Sequence, residues 1–241
     1  VIFGTGGLRG VMGPGTNRIN NYLIKLESQS FANYLYKYQP DKVKNGVTIA
    51  YDSRHNSEAF AKKTAEVLAG NGIKTYIFSY YRATPELSFA VRELKTAGGI
   101  VVTASHNPPQ FNGYKIYNHE GVQILPDAGL LIEKEFKKVN EIKLIDFEKG
   151  LKNGKIQYIN EKLDKQFLLQ AKNLSLYSNR NVTVVYSPLH GVGSQSVLPV
   201  LNELGFKVIT VDEQMTIDGD FPTVPDHFPQ PEFPQVYDIA I

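Results

Sequence analysis

Gly99-Ile100-Val101-Val102-Thr103-Ala104-Ser105-His106-Asn107-Pro108 is the stretch on which the fold turns. Its first half is a short unbroken apolar run rich in β-branched residues, the pattern of a strand buried on both faces. Its second half is a turn of small and polar residues closed by proline. Just upstream, Thr84-Pro85-Glu86 puts proline at the first position of a helix that should run to Lys95. Further back, β-rich runs at residues 47–51 and 73–78 bracket a helix over residues 57–68, with Ser57 as its N-cap. An earlier helix is expected over residues 21–38, where Leu23, Leu26, Ala32, Leu35 and Tyr36 recur at helical spacing. Downstream, residues 114–118 and 122–125 read as two short strands and residues 126–139 as an amphipathic helix. Strand and helix alternate, so the fold class is α/β: mixed, mainly parallel sheet layers with helices on both faces.

Residues 140–160 are more polar and read as a connection between domains. A second α/β unit follows: a helix at 161–174, a strand at 182–186, a helix at 194–204 and a strand at 206–211. Residues 218–234 are crowded with prolines and carry few element signals. The chain starts without methionine inside a glycine-rich motif and stops at residues 236–241, which read as the opening of a helix. An excerpt of a longer polypeptide is therefore expected.

The 241 residues carry 26 Lys+Arg against 24 Asp+Glu, a formal charge of +2 with the signs mixed along the chain. A dedicated nucleic-acid or anionic-membrane surface needs a clustered basic face, so neither partner is expected. No cysteine is present, which excludes thiol chemistry and cysteine metal sites. No apolar run approaches the roughly 20 residues that span a bilayer, and residues 1–10 lack the apolar core of a secretory signal.

In α/β sheets ligands bind beyond the carboxyl ends of strands, which is where Ser105 falls. The residues alone leave two readings open: a hydroxyl pointing into a cleft, or an ordinary turn. A serine-hydrolase triad is the weaker idea, because adjacent Ser105 and His106 need not aim at one another and no G-x-S-x-G elbow is present.

Thr103-Ala104-Ser105-His106-Asn107-Pro108, followed by Asn112-Gly113-Tyr114-Lys115, closely resembles the active-site serine loop of the α-D-phosphohexomutases. Phe3-Gly4-Thr5-Gly6-Gly7-Leu8-Arg9-Gly10 resembles that family's N-terminal motif. Gly15-Thr16-Asn17-Arg18 and Ser187-Pro188-Leu189-His190-Gly191-Val192-Gly193 are similar to its phosphoglucomutase/phosphopentomutase-like branch. The resemblance implies one complete phosphohexomutase domain over residues 1–153 and part of a second over 154–241, truncated before the metal-binding loop. It implies an intramolecular phosphotransferase moving phosphate between the 1- and 6-positions of a hexose. Glucose 1-phosphate and glucose 6-phosphate come first as substrates and pentose phosphates next. Ser105 would carry the phosphate, with glucose 1,6-bisphosphate as intermediate and activator. Lys115 would be the general acid/base, and Arg9 and His106 would contact phosphate. Mg²⁺ would sit on the Ser105 phosphate, with its carboxylate ligands beyond Ile241. The other partners implied are a sugar phosphate and the remaining C-terminal domains of the same polypeptide. A cytoplasmic location is expected, and the 241 residues alone should be nearly inactive as a mutase.

The same residues admit other readings. Lys115 as a solvated strand-end lysine, Arg9 as a loop staple and His106 as a partner of turn carbonyls each need no catalysis. Asp52 and Arg54 follow a strand and either face the cleft or form a local ion pair and helix cap. Gly191-Val192-Gly193, with Asp212 about 20 residues on, is a partial dinucleotide fingerprint whose third glycine position is Ser196. Asp218-Gly219-Asp220 breaks off from a metal-loop pattern at Phe221-Pro222-Thr223. The alternatives are thus a dinucleotide-dependent oxidoreductase and a non-catalytic sugar-phosphate-binding protein.

Overall fold

The computed structural model describes residues 7–159 and 161–241; the Phe3 to Gly6 part of the N-terminal motif lies outside them. The first unit is a six-stranded sheet in the order β1-β5-β4-β2-β3-β6. Its strands are β1 (Gly7–Val11), β2 (Val47–Tyr51), β3 (Thr75–Phe78), β4 (Gly98–Val102), β5 (Phe111–Asn118) and β6 (Ile156–Ile159). β4, β2, β3 and β6 are parallel neighbours, and only β5 runs against the rest. The two central strands, β2 and β4, are buried at all five positions, as their unbroken apolar runs require.

Helices cover both faces. On one side lie α1 (Asn21–Tyr38), α3 (Ser57–Gly70) and α5 (Pro126–Phe136), which bury Ile24, Phe31, Leu35 and Leu68 against Ile49, Ile100 and Tyr114. A short α2 (Pro40–Val43) follows α1. On the other side α4 (Thr84–Glu93) sets Leu87 and Val91 against Ala50, Val101 and Tyr117. Each large apolar side chain so buried contributes roughly 1.5–3 kcal/mol.

Five local expectations are corrected. The N-cap of α3 is Asn56 in the left-handed region (φ 63°), and Ser57 is the first helical residue, with its hydroxyl committed to Asp52. Residues 122–125 form no strand, only a bridge from Gln123 to Tyr117. Asn118 Oδ1 there accepts the N–H groups of Glu120 and Val122, both at 3.0 Å, and closes a turn. Residues 122–125 join β5 by two backbone bonds, Asn118 N–H to Val122 O and Ile124 N–H to Ile116 O. The polar stretch at 140–160 is more than a connection. Asp146 caps α6 (Phe147–Lys152), and β6 then pairs with β3 as the sheet's edge strand. Beyond α7 (Glu161–Asn173), the helix expected over 194–204 is divided into a 3₁₀ turn at Val192–Gln195 and the short α8 (Val197–Glu203). Residues 236–241 open no α-helix; a 3₁₀ turn at Pro234–Tyr237 gives way to further turns.

The second unit is smaller. Beyond α7, strands β7 (Thr183–Tyr186) and β8 (Lys207–Thr210) pair in parallel and α8 connects them. Residues 218–241 wrap around a small cluster of Phe221, Val224 and Val236, against which Leu189 packs. Among the described residues no helix is long and apolar enough to cross a membrane.

Candidate active site

The loop that leaves β4 carries Ser105, exposed at the carboxyl end of the central parallel strands. Its backbone is left-handed, φ +57°, a conformation that costs a residue with a Cβ roughly 1–2 kcal/mol. Such a residue persists only where its surroundings over-determine it, and here they do. The Ser105 N–H donates to Thr103 Oγ1 at 2.9 Å, and that hydroxyl donates to Asp52 Oδ2 at 2.6 Å. The Ser105 carbonyl accepts from Arg54 Nη2 at 2.6 Å. Asp52 and Arg54 stand at the end of β2, next to β4 in the sheet, so strand adjacency brings them beneath the loop.

Asp52 is held by three donors, Thr103 Oγ1, Ser57 Oγ and the Arg54 N–H, and its Oδ2 lies 3.5 Å from Arg54 Nε. Burial pushes its carboxyl above the ordinary carboxylate value, while Thr103 and then the Arg54 charge pull it back. Asn112, fully buried, ties the start of β5 to the turn after β2 by donating to the His55 carbonyl and to Ser57 Oγ. Gly113 must be glycine: a Cβ there would lie 2.5 Å from the Thr103 carbonyl oxygen and 2.7 Å from that of Leu8.

His106 Nδ1 lies 3.3 Å from Ser105 Oγ. Burial, and then the positive charge of Arg9, hold the imidazole below its ordinary value and so favour the neutral ring. Arg9 is exposed on β1 and donates to Asn107 Oδ1 at 3.0 Å. Lys115 lies on β5, opposite Gly7 on one side and Val101 on the other. Residues opposite one another share a face, and positions alternate along a strand, so Lys115 and Arg9 project to the same side of the sheet. Burial, then Arg9, hold the Lys115 amine below the ordinary lysine value, with Asp52 opposing. Arg9 and Lys115 thus share a face, and His106, whose imidazole feels the charge of both, stands 3.3 Å from Ser105 Oγ.

The second unit closes the other side. A cleft of about 270 Å³ is lined by Asp52, Thr103 and Ser105 from the first unit and by Gly191, Val192 and Phe221 from the second. Gly191 and Val192 thus form a cleft wall, and the 3₁₀ turn begins at Val192. Buried His190 shapes the far wall through contacts to the Thr216 carbonyl (2.9 Å) and Thr223 Oγ1 (2.8 Å). At the cleft's edge Arg82 grips Asp164 of α7 with two bonds, 3.1 and 2.7 Å, and reaches Gln195 at 3.1 Å, linking the units. Burial, with a hydrogen bond to Asp164, raises the neighbouring Glu86 carboxyl. A larger groove of about 590 Å³ between α4 and α7 is lined by Phe89, Phe167 and Leu174 with Ser88 and Glu93, and its Ser88 hydroxyl is taken up by the Gly121 carbonyl and Arg92.

The sequence leaves Asp52 and Arg54 open between a cleft role and a local ion pair; the structure gives them the underside of the serine loop. The signal is their place one and three residues past a predicted strand. Among the described residues no three His, Asp or Glu side chains converge as a cation site. Asp52 is already filled by its donors, and Asp218 and Asp220 are turned to a backbone N–H and to His55. These residues do not fit Mg²⁺ unaided.

This arrangement, a serine loop on a mainly parallel α/β sheet facing a second α/β unit, has relatives. The chain matches the family profile described as phosphoglucomutase/phosphomannomutase, alpha/beta/alpha domain I, over residues 1–143 and the domain II profile of the same family over residues 158–241. It belongs to the phosphoglucomutase/phosphomannomutase family. It is 37% identical to a protein named phosphoglucomutase from Staphylococcus saprophyticus, over 92% of this chain and 41% of the relative. It is 39% identical to one named "Probable phosphoribomutase" from Schizosaccharomyces pombe, over 99% of this chain and 42% of the relative. A crystal structure from Thermus thermophilus, described as a candidate phosphomannomutase, superposes with a TM-score of 0.81 at 26% identity. That match covers 100% of this chain and 51% of the other. The chain thus spans about two fifths of the length of these curated relatives.

Proposed function

We propose that this chain is the phosphate-carrying part of a phosphohexomutase, an isomerase that interconverts sugar 1- and 6-phosphates with glucose phosphates as its substrates. The observation that carries the reading is Ser105: an exposed hydroxyl on a clamped left-handed turn, with His106 at 3.3 Å and the cationic pair Arg9 and Lys115 on the same edge. In this reading residues 1–153 are domain I and 154–241 domain II, with β6 stitching the second segment into the first sheet.

Phosphoryl transfer demands in-line positioning and charge neutralisation more than covalent machinery. From phosphoserine, the Oγ–P bond breaks as a sugar hydroxyl oxygen forms its own bond to phosphorus. The sugar proton leaves to a base and the serine oxygen regains one. In this reading Lys115, whose amine is held low by burial, exchanges that proton. Arg9 and neutral His106 donate to phosphate oxygens. The resulting bisphosphate, turned over in the cleft, returns its other phosphate to Ser105, so the serine ends as it began. A cytoplasmic enzyme of carbohydrate metabolism, using Mg²⁺ with carboxylates outside this serine loop, completes the reading.

Incubation with glucose 1,6-bisphosphate, followed by intact-mass measurement and phosphosite mapping, tests it. One phosphate on Ser105, and loss of glucose 1-phosphate conversion in Ser105→Ala of the complete polypeptide, is expected. No label on Ser105, or full conversion by Ser105→Ala, overturns the proposal. The partial dinucleotide fingerprint carries no second reading, since Gly191 and Val192 wall the serine cleft and Asp212 accepts from Thr210.

A further inference from the structure

Arg54 is only 3% exposed and spends its guanidinium on carbonyl oxygens of one loop. Nη2 donates to Ser105 O at 2.6 Å and Asn107 O at 2.5 Å; Nη1 donates to Pro108 O at 3.0 Å and Phe111 O at 3.3 Å. No helix or strand needs these bonds, because all four carbonyls lie between the end of β4 and the first residue of β5. Its Nε faces Asp52 Oδ2 at 3.5 Å. Through Thr103, Asp52 also holds the Ser105 N–H. Both ends of the Ser105 backbone unit are therefore fixed from below, while Oγ faces His106 Nδ1 at 3.3 Å.

We propose that Arg54 is a positioning residue for phosphoryl transfer: its fork, paired with Asp52, holds Ser105 in the left-handed turn that aims Oγ into the cleft. The inference rests on the phosphomutase reading above. A planar guanidinium can serve four acceptors in one plane from two nitrogens, and a lysine ammonium cannot. A charge buried this deeply needs its partner and a cover. The second unit supplies the cover, with the Phe221 ring 5.2 Å from the guanidinium carbon. The cleft wall and the clamp are thus parts of one assembly. Misplacement of a reacting atom by about 1 Å costs on the order of 100-fold in rate, which sets the effect expected when the clamp loosens.

The test uses the polypeptide of the complete reading frame, with Arg54→Lys and Thr103→Val compared to wild type. Melting temperature, Ser105 phosphate occupancy after glucose 1,6-bisphosphate, and kcat and KM for glucose 1-phosphate are measured on each. Arg54→Lys should melt within a few degrees of wild type, yet lose about 100-fold in kcat per phosphorylated molecule, with KM changed less than about threefold. Wild-type kcat in Arg54→Lys, or a loss that merely tracks the folded fraction, overturns the inference and leaves the mutase reading intact. If Arg54→Lys does not fold, Thr103→Val decides: a kcat loss at normal melting supports the clamp and an unchanged kcat refutes it. A wild-type protein that neither labels Ser105 nor converts the sugar sinks the reading, and this inference with it.

Discussion

Gly219 of the second unit rests on Ser53 of the first so closely that a Cβ on the glycine would lie 2.8 Å from the serine carbonyl oxygen. The same Cβ would meet Arg54 Cα and the His55 nitrogen at 3.2 Å, so every obstacle is backbone. Beside it, His55 Nε2 and Asp220 Oδ1 are 2.6 Å apart, but both side chains are about half exposed. An exposed pair contributes only about 0–1 kcal/mol, whereas forcing atoms into a packed contact costs roughly 1–3 kcal/mol. Gly219→Ala should therefore destabilise the protein more than Asp220→Asn in urea titrations. Hydrogen exchange should also rise at residues 53–56 in Gly219→Ala alone. The reverse order would mean that the contact between units is electrostatic.

Charge coupling between Arg9 and Lys115 makes a prediction with a definite sign. A neighbouring cation disfavours protonated lysine, so Arg9 and burial together hold the Lys115 amine below its ordinary value. Arg9→Gln removes that repulsion, and the basic limb of the pH–rate profile for Ser105 phosphorylation should move to higher pH. Arg9→Lys keeps the charge and should leave the limb where it was, though with weaker phosphate binding for want of the fork. Profiles of wild type and both variants over pH 6 to about 10 decide it. Equal shifts in the two variants would assign the limb to another group.

How far these features are legible in the sequence varies with their physical origin. α1 and β2 have the predicted bounds because periodicity and a run of β-branched residues are local properties. β1 is not legible, since Gly-Leu-Arg-Gly-Val has little strand propensity and is a strand only because it pairs with β5. β6 is likewise an edge strand defined by β3. Ser105, Arg9, His106 and Lys115 are named through a resemblance, and their convergence needs the sheet order. The reach of Arg54 across 51 to 57 positions to the serine loop depends on β2 lying beside β4. No local pattern states that adjacency.

Glu27 gives a stability prediction away from the site. It lies on α1, 3% exposed, and its Oε2 has no hydrogen-bond partner. Burial, and then the charge of Glu133, raise its carboxyl from 4.5 to about 8. The folded protein therefore keeps a proton that the unfolded chain releases above pH 4.5 or so. Stability from this group is whole below that pH, declines as pH rises by up to about 1.4 kcal/mol per unit, and levels off above about 8. Glu86 and Asp52, also raised by burial, add slopes of the same sign. Glu27→Gln keeps the shape and removes the titration, so its stability relative to wild type should climb steadily in urea melts from about pH 5.5 to 8.5. A difference that stays constant with pH would mean that Glu27 is ionised in the core, and that the space around its Oε2 is polar after all.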